Sequence, residues 1–83
     1  MYTILKTKGY DGNQDIISVI NWLATKNIHV DLFTVWKNEA SDEIIGKRAQ
    51  AHIKPYTQPF ITPNMQNYTD ALEVLIITIK EYL

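Results

Sequence analysis

No cysteine occurs anywhere in this chain. That excludes disulfides, thiolate nucleophiles, Fe–S clusters and cysteine-type zinc sites together. Small secreted domains commonly depend on disulfide staples, so the expectation is a cytoplasmic protein held together by its core. Long apolar runs are missing as well. Met1–Lys6 contains nothing like the run of about 7–15 apolar residues of a secretory signal, and no stretch reaches the ~18–20 of a membrane span. The richest segment, residues 71–83, is interrupted by Glu73, Thr78, Lys80 and Glu81. Neither sign of charge dominates: 8 Lys and Arg stand against 9 Asp and Glu, a net charge of −1. Non-specific nucleic-acid binding needs a basic excess or a basic stripe, so nucleic acid is not the expected partner.

What is present belongs to a folded protein. The hydrophobic fraction of 46% and charged fraction of 20% are those of a globular chain rather than a disordered one. With 83 residues, residues 1–83 form a single domain that can bury roughly 60–65% of its unfolded surface. No repeat or low-complexity tract breaks it.

Residues 2–7 alternate as a strand does. Lys8–Asn13 is a loop, because two glycines and an Asn fall within it. Asn13 or Asp15 then caps a helix whose apolar face is Ile16, Val19, Ile20 and Leu23, and Lys26 and Asn27 mark its end. Ile28–Trp36 is rich in β-branched and aromatic residues and reads as a central strand buried on both faces for much of its length. After a loop over 37–41, a short polar helix is expected over about 42–52. Asp42 and Glu43 suit its first turn, and Ile44, Ile45, Ala49 and Ile53 form a modest apolar face. Pro55, Pro59 and Pro63 forbid a helix in the next segment. Phe60–Thr62 is a short strand, and the turn over 64–67 supplies a residue or two of a fourth. Asn67 or Thr69 caps a last helix with Leu72, Leu75, Ile76, Ile79 and Leu83 on one face. The run Val74–Ile79 has strand propensity too, but its length, its cap and its lack of Gly and Pro favour a helix. The expected order is β-α-β-α-β-(β)-α. A helix-long crossover makes the first two strands parallel, giving an α/β fold with a small mixed sheet.

That order, with Thr57-Gln58-Pro59 before the third strand, resembles the thioredoxin fold and in particular the short glutaredoxins. The likeness covers nearly the whole chain as a three-layer sandwich. The family's Lys-x-x-Cys-x-x-Cys loop is matched in spacing by residues 8–14, with Asp11 and Gln14 where the cysteines would stand. The family's Thr-Val-Pro, whose proline is cis, is matched by Thr57-Gln58-Pro59. Gln66–Asp70 takes the place of the family's acidic helix start, without its glycines. Thiol–disulfide exchange needs a thiolate, so the resemblance implies a redox-dead, non-catalytic member that keeps only the binding half of the site. Its expected binding residues are Lys8, Tyr10, Asp11, Gln14, Thr57, Gln58, Pro59, Tyr68, Thr69 and Asp70. Gln58 would pair its backbone with an extended peptide, while Lys8 and the 67–70 helix start would favour an anionic group.

Three functions follow from that resemblance. The first is recognition of a protein partner by the loop 8–14, the 57–59 segment and the 67–70 cap. The second is binding of glutathione or another small anionic peptide. The third is a phage or mobile-element accessory protein that blocks a host enzyme or defence system, since short glutaredoxin-like chains occur in phages. No cofactor is implied.

Each residue also has a plainer reading. Pro59 equally begins an edge strand. Asp11 is foremost a turn former, because Asp-Gly is a turn dipeptide. His29 and His52 lack metal-ligand spacing and a Cys partner. Lys47, Arg48, Lys54, Lys6 and Lys8 read as solvated faces, with a basic rim as the alternative. Trp22, Trp36, Tyr56, Phe60 and Tyr68 read as core. Tyr10 is the exception: in a Gly-flanked loop it is expected to be exposed and to anchor a partner. Val74 and Ile77 leave dimerisation through the last helix open. No Ser/His/Asp order or phosphate loop indicates another enzyme.

Overall fold

A computed structural model describes residues 1–55 and 58–83. The chain runs α1 (Tyr2–Thr7), α2 (Ile16–Ala24), β1 (Ile28–Trp36), β2 (Ile44–Ile53), β3 (Phe60–Ile61) and α3 (Tyr68–Ile79), ending in a 3-10 turn over Lys80–Tyr82. The described residues form a small α/β domain of three helices and one three-stranded antiparallel sheet in the order β1-β2-β3.

Three elements follow the sequence closely. α2 begins at Asp15, whose carboxylate accepts from the Ser18 backbone N–H at 2.8 Å and from the Ser18 hydroxyl at 2.9 Å. It ends where Asn27 turns left-handed at φ 62°, a conformation that Asn tolerates better than most residues. β1 occupies the expected residues. α3 starts at Asn67, whose side-chain oxygen caps the Asp70 N–H at 2.8 Å, and it buries Ala71, Leu72, Leu75, Ile76 and Ile79.

Residues 2–7 form a helix, not the expected strand. The stop signal is Gly9 at φ 103°. The Tyr10 N–H reaches back to the Leu5 carbonyl at 2.9 Å and the Gly9 N–H to Lys6 at 3.1 Å, which closes the helix by a Schellman motif. A six-residue helix is marginal by itself. This one is held by Leu5, fully buried in the core, and by an ion pair of the N-terminal amine with Glu73 on α3 at 3.3 Å.

Residues 44–53 form a strand, not the expected helix over 42–52. Lys47, Ala49, Ala51 and Ile53 lie on one face and Arg48, Gln50 and His52 on the other, and the register Ile28↔Ile53 to Val35↔Gly46 pairs them with β1. Here the pairing with β1 outweighs the helix propensity of Ala, Lys, Arg and Gln. With α1 in place of a first strand, there is no parallel pair, no mixed sheet and no β-α-β opening among the described residues. The expected order β-α-β-α-β-(β)-α is therefore replaced by α-α-β-β-β-α.

The fourth strand is a single bridge. Met65 exchanges backbone hydrogen bonds with Lys47 at 2.8 and 2.9 Å, so it extends the β3 side of β2 rather than pairing with β3. Thr62, just past β3, is buried. Its N–H donates to the Ala49 carbonyl and its hydroxyl accepts from the Ala49 N–H, each at 3.0 Å. The cis peptide bond among the described residues is Lys54–Pro55, not Gln58–Pro59.

All helices contribute to one core. Leu5, Val19, Leu23 and the α3 face meet Ile28, Ala49, Ala51 and Ile53, with Val30, Leu32 and Phe60 packed at its margin. The other face of the sheet is open: His29, Asp31, His52 and Ile61 are exposed, and Phe33, Val35, Arg48 and Gln50 are partly exposed. The sandwich thus has two layers rather than three. β1 turns Ile28, Val30 and Leu32 toward the core, and of these Ile28 alone is fully buried, whereas its composition suggested burial on both faces.

Candidate functional site

The structure gathers part of the expected site. Tyr10, Asp11 and Gln14 line one cleft of about 590 Å³, together with Tyr2, Thr3, Lys6, Gly9 and Gly12. Lys8 borders a different depression, beside Thr3, Ile4, Thr7, Lys80 and Glu81. Gln58 and Pro59 precede β3, and Tyr68, Thr69 and Asp70 open α3. None of these five lines the loop cleft. Thr57, like Tyr56, lies outside the described residues.

Tyr10 is not the exposed anchor its loop suggested, since only 7% of it is exposed. The Schellman motif turns it inward, where its ring meets Trp22 edge-on at 5.3 Å. Its hydroxyl donates to the Asn13 carbonyl. Gly12 lies so close that a Cβ there would stand 2.8 Å from the Tyr10 ring. Burial, and then the Asp15 carboxylate, push the Tyr10 phenol above its ordinary pKa, which keeps the hydroxyl a donor. Tyr10 therefore organises the loop from below and leaves Lys6, Asp11 and Gln14 at the cleft surface.

Tyr68 is also structural. Its hydroxyl shares a hydrogen bond with Thr34 Oγ1 at 2.7 Å, Lys47 Nζ donates to the same Thr34 oxygen at 3.2 Å, and the Lys47 ammonium sits 4.9 Å from the Tyr68 ring centroid. The α3 start is thereby fastened to both long strands. His29 and His52 face each other across β1 and β2, with His52 Nε2 at 2.6 Å from Gln50 Nε2. Among the described residues no group of three or more His, Cys, Asp or Glu is arranged to hold a metal.

A second candidate surface is the outer edge of β1. The Lys54 N–H donates to the Asn27 carbonyl opposite it at 3.1 Å. Hydrogen-bonded and non-bonded pairs alternate in an antiparallel ladder. In this register, His29, Asp31, Phe33 and Val35 therefore turn their backbones toward β2, while Ile28, Val30, Leu32 and Thr34 turn theirs outward. β2 agrees, since Lys47 and Ala49 bond away from β1 to Met65 and Thr62. Among the described residues no backbone group pairs with this outer edge. Nine residues long and free of Pro, Gly and Lys, β1 carries few of the devices that keep an edge from pairing.

Beside that edge the open face holds a cleft of about 580 Å³ with Phe33, Val35, Trp36 and Arg48 among its lining residues. Trp36 is 49% exposed, and Ile44 opposite it and Ile45 at the bulge are exposed as well. The Arg48 side chain makes no hydrogen bond or ion pair with the described residues, and its Nε is buried without a partner. A buried donor left unpaired is costly, which singles out Arg48 among the basic residues. The sequence placed it on a solvated helix face; only the β1–β2 pairing reveals its setting. Comparison with protein-family models, with curated proteins and with solved structures finds no match for this chain.

Proposed function

We propose that this chain is a non-catalytic binding domain whose partner is a protein, engaged by strand addition along the outer edge of β1. The observation that carries this is the run of outward backbone groups at Ile28, Val30, Leu32 and Thr34 with no partner among the described residues. Strand addition draws affinity from such groups and specificity from the side chains beside them, here Phe33, Val35, Trp36 and Arg48. The protein-binding role implied by the glutaredoxin resemblance is kept, but it moves from the loop 8–14 and the α3 start to the sheet edge. The chain's lack of cysteine removes thiol chemistry from that role.

Leu32→Pro tests this. The Leu32 N–H points outward, so proline there removes no ladder bond within the chain, blocks addition of a further strand and gives up the Leu32 packing at the core margin. Tagged wild-type protein is expected to retain an equimolar protein, another species or untagged copies of itself, and tagged Leu32→Pro to lose it while still unfolding cooperatively on heating. Equal capture by both would place the binding surface elsewhere.

A small charged peptide is a second reading, favoured by Lys6, Asp11 and Gln14 lining one cleft. Calorimetry with glutathione separates the two: heat that disappears in Lys6→Ala and persists in Leu32→Pro would favour the cleft.

A further inference from the structure

We propose that the partner on the β1 edge is a second copy of this chain: the two β1 strands pair antiparallel about a two-fold axis at Leu32, joining two three-stranded sheets, and Arg48 reaches Asp31 of the second copy. This rests on the edge-binding reading above and names its partner.

The register comes from the strand itself. Leu32 is the midpoint of Ile28–Trp36, so an axis there pairs the strand along its whole length. Leu32 is one of the outward-facing residues, so it meets its own copy as a hydrogen-bonded pair and Val30 meets Thr34 of the second copy. Every outward backbone group between Ile28 and Thr34 then finds a partner. An axis one residue earlier would set Asp31 against itself, and like charges directly opposite are unfavourable. A two-fold arrangement makes the same patch serve both subunits.

Charge complementarity supports the same register. On the open face, a line across the joined sheet runs from Arg48 on β2 to Phe33 on β1 and then to Asp31 of the second copy. The two ends are two strand spacings apart, roughly 9–10 Å between backbones, a gap that an Arg and an Asp side chain close together across the Phe33 ring. Both are free for it. Asp31 is exposed, and its side chain, like that of Arg48, makes no hydrogen bond or ion pair among the described residues. Glu39 and Asp42 border the Arg48 cleft without pairing to it. The two-fold makes the contact twice, and a carboxylate is the acceptor that suits a guanidinium best.

Sedimentation equilibrium of the full chain tests the proposal. Wild type is expected at twice the chain mass of 9.6 kDa. Asp31→Arg and Arg48→Asp, each of which sets like charges face to face, are expected to weaken self-association about tenfold or more. The double variant, in which the charges are exchanged, restores it. A wild-type mass of one chain up to millimolar concentration overturns the second copy as partner. The edge reading survives that result if Leu32→Pro still loses a captured protein of another kind. A dimer indifferent to both reversals, or not rescued by the double variant, overturns this interface.

Discussion

Ala51→Lys is expected to unfold the protein, or to remove most of its stability. Ala51 is fully buried, pairs with Val30 on β1 and Phe60 on β3, and lies in the core cluster with Ile28, Ile53 and the α3 face. No carboxylate belongs to that cluster. An ammonium forced into it loses its water without a counter-ion, a penalty of several kcal/mol, against a total stability of about 5–15 kcal/mol for an ordinary domain. Gln50→Lys, one residue away on the open face, is expected to change stability by no more than about 0.5 kcal/mol. Urea unfolding followed by circular dichroism measures both. The contrast is decisive for β2, because a helix over 42–52 would put Ala51 off its apolar face and make the two lysines equally harmless.

Leu75→Ala carries the second large effect. Leu75 is fully buried in the same core, and truncating a buried Leu costs about 2–5 kcal/mol, through lost transfer energy and the cavity left behind. Ile77→Ala is expected to cost well under half as much, because Ile77 is 48% exposed. The pair reports on the element as well as on the contact. On a helix, Leu75 and Ile77 face different ways. In a strand, which the composition of Val74–Ile79 also favours, they would share one face and cost alike. Equal losses in chemical denaturation would contradict α3.

What the sequence made legible follows from which signals are local. Asp15 and Asn67 cap their helices with their own side chains, and the spacing of Val19 and Leu23, or of Leu72, Leu75, Ile76 and Ile79, is long enough to fix a period. β1 was legible from its β-branched and aromatic content. α1 was not, because six residues cannot separate a period of two from one of 3.6. The clue lay after the element, in Gly9 followed by an apolar Tyr10, the pattern of a Schellman stop. β2 was not legible either, because Ile44, Ile45, Ala49 and Ile53 also suit one face of a helix, and only the register against β1 sets Lys47, Ala49 and Ala51 on one side.

The site was less legible for the same reason. Tyr10, Asp11 and Gln14 do share a cleft, since a loop keeps its neighbours together. Gln58 and Asp70 were joined to them only by a fold order that α1 and β2 do not follow. Whether a strand is central or at an edge depends on what lies beside it in space, so the free side of β1 left no mark in its composition. Arg48 looked like any exposed cation until Phe33 stood opposite it.

Backbone hydrogen exchange along β1 tests the edge most directly. At high dilution, the amides of His29, Asp31, Phe33 and Val35, which face β2, are expected to exchange slowly, and those of Val30, Leu32 and Thr34 to exchange fast. As concentration rises and the second copy docks, the fast set becomes protected while the slow set is unchanged. Uniform protection of all seven in the dilute monomer would mean that β1 already has a strand on each side, and would contradict the binding edge on which the proposed function rests.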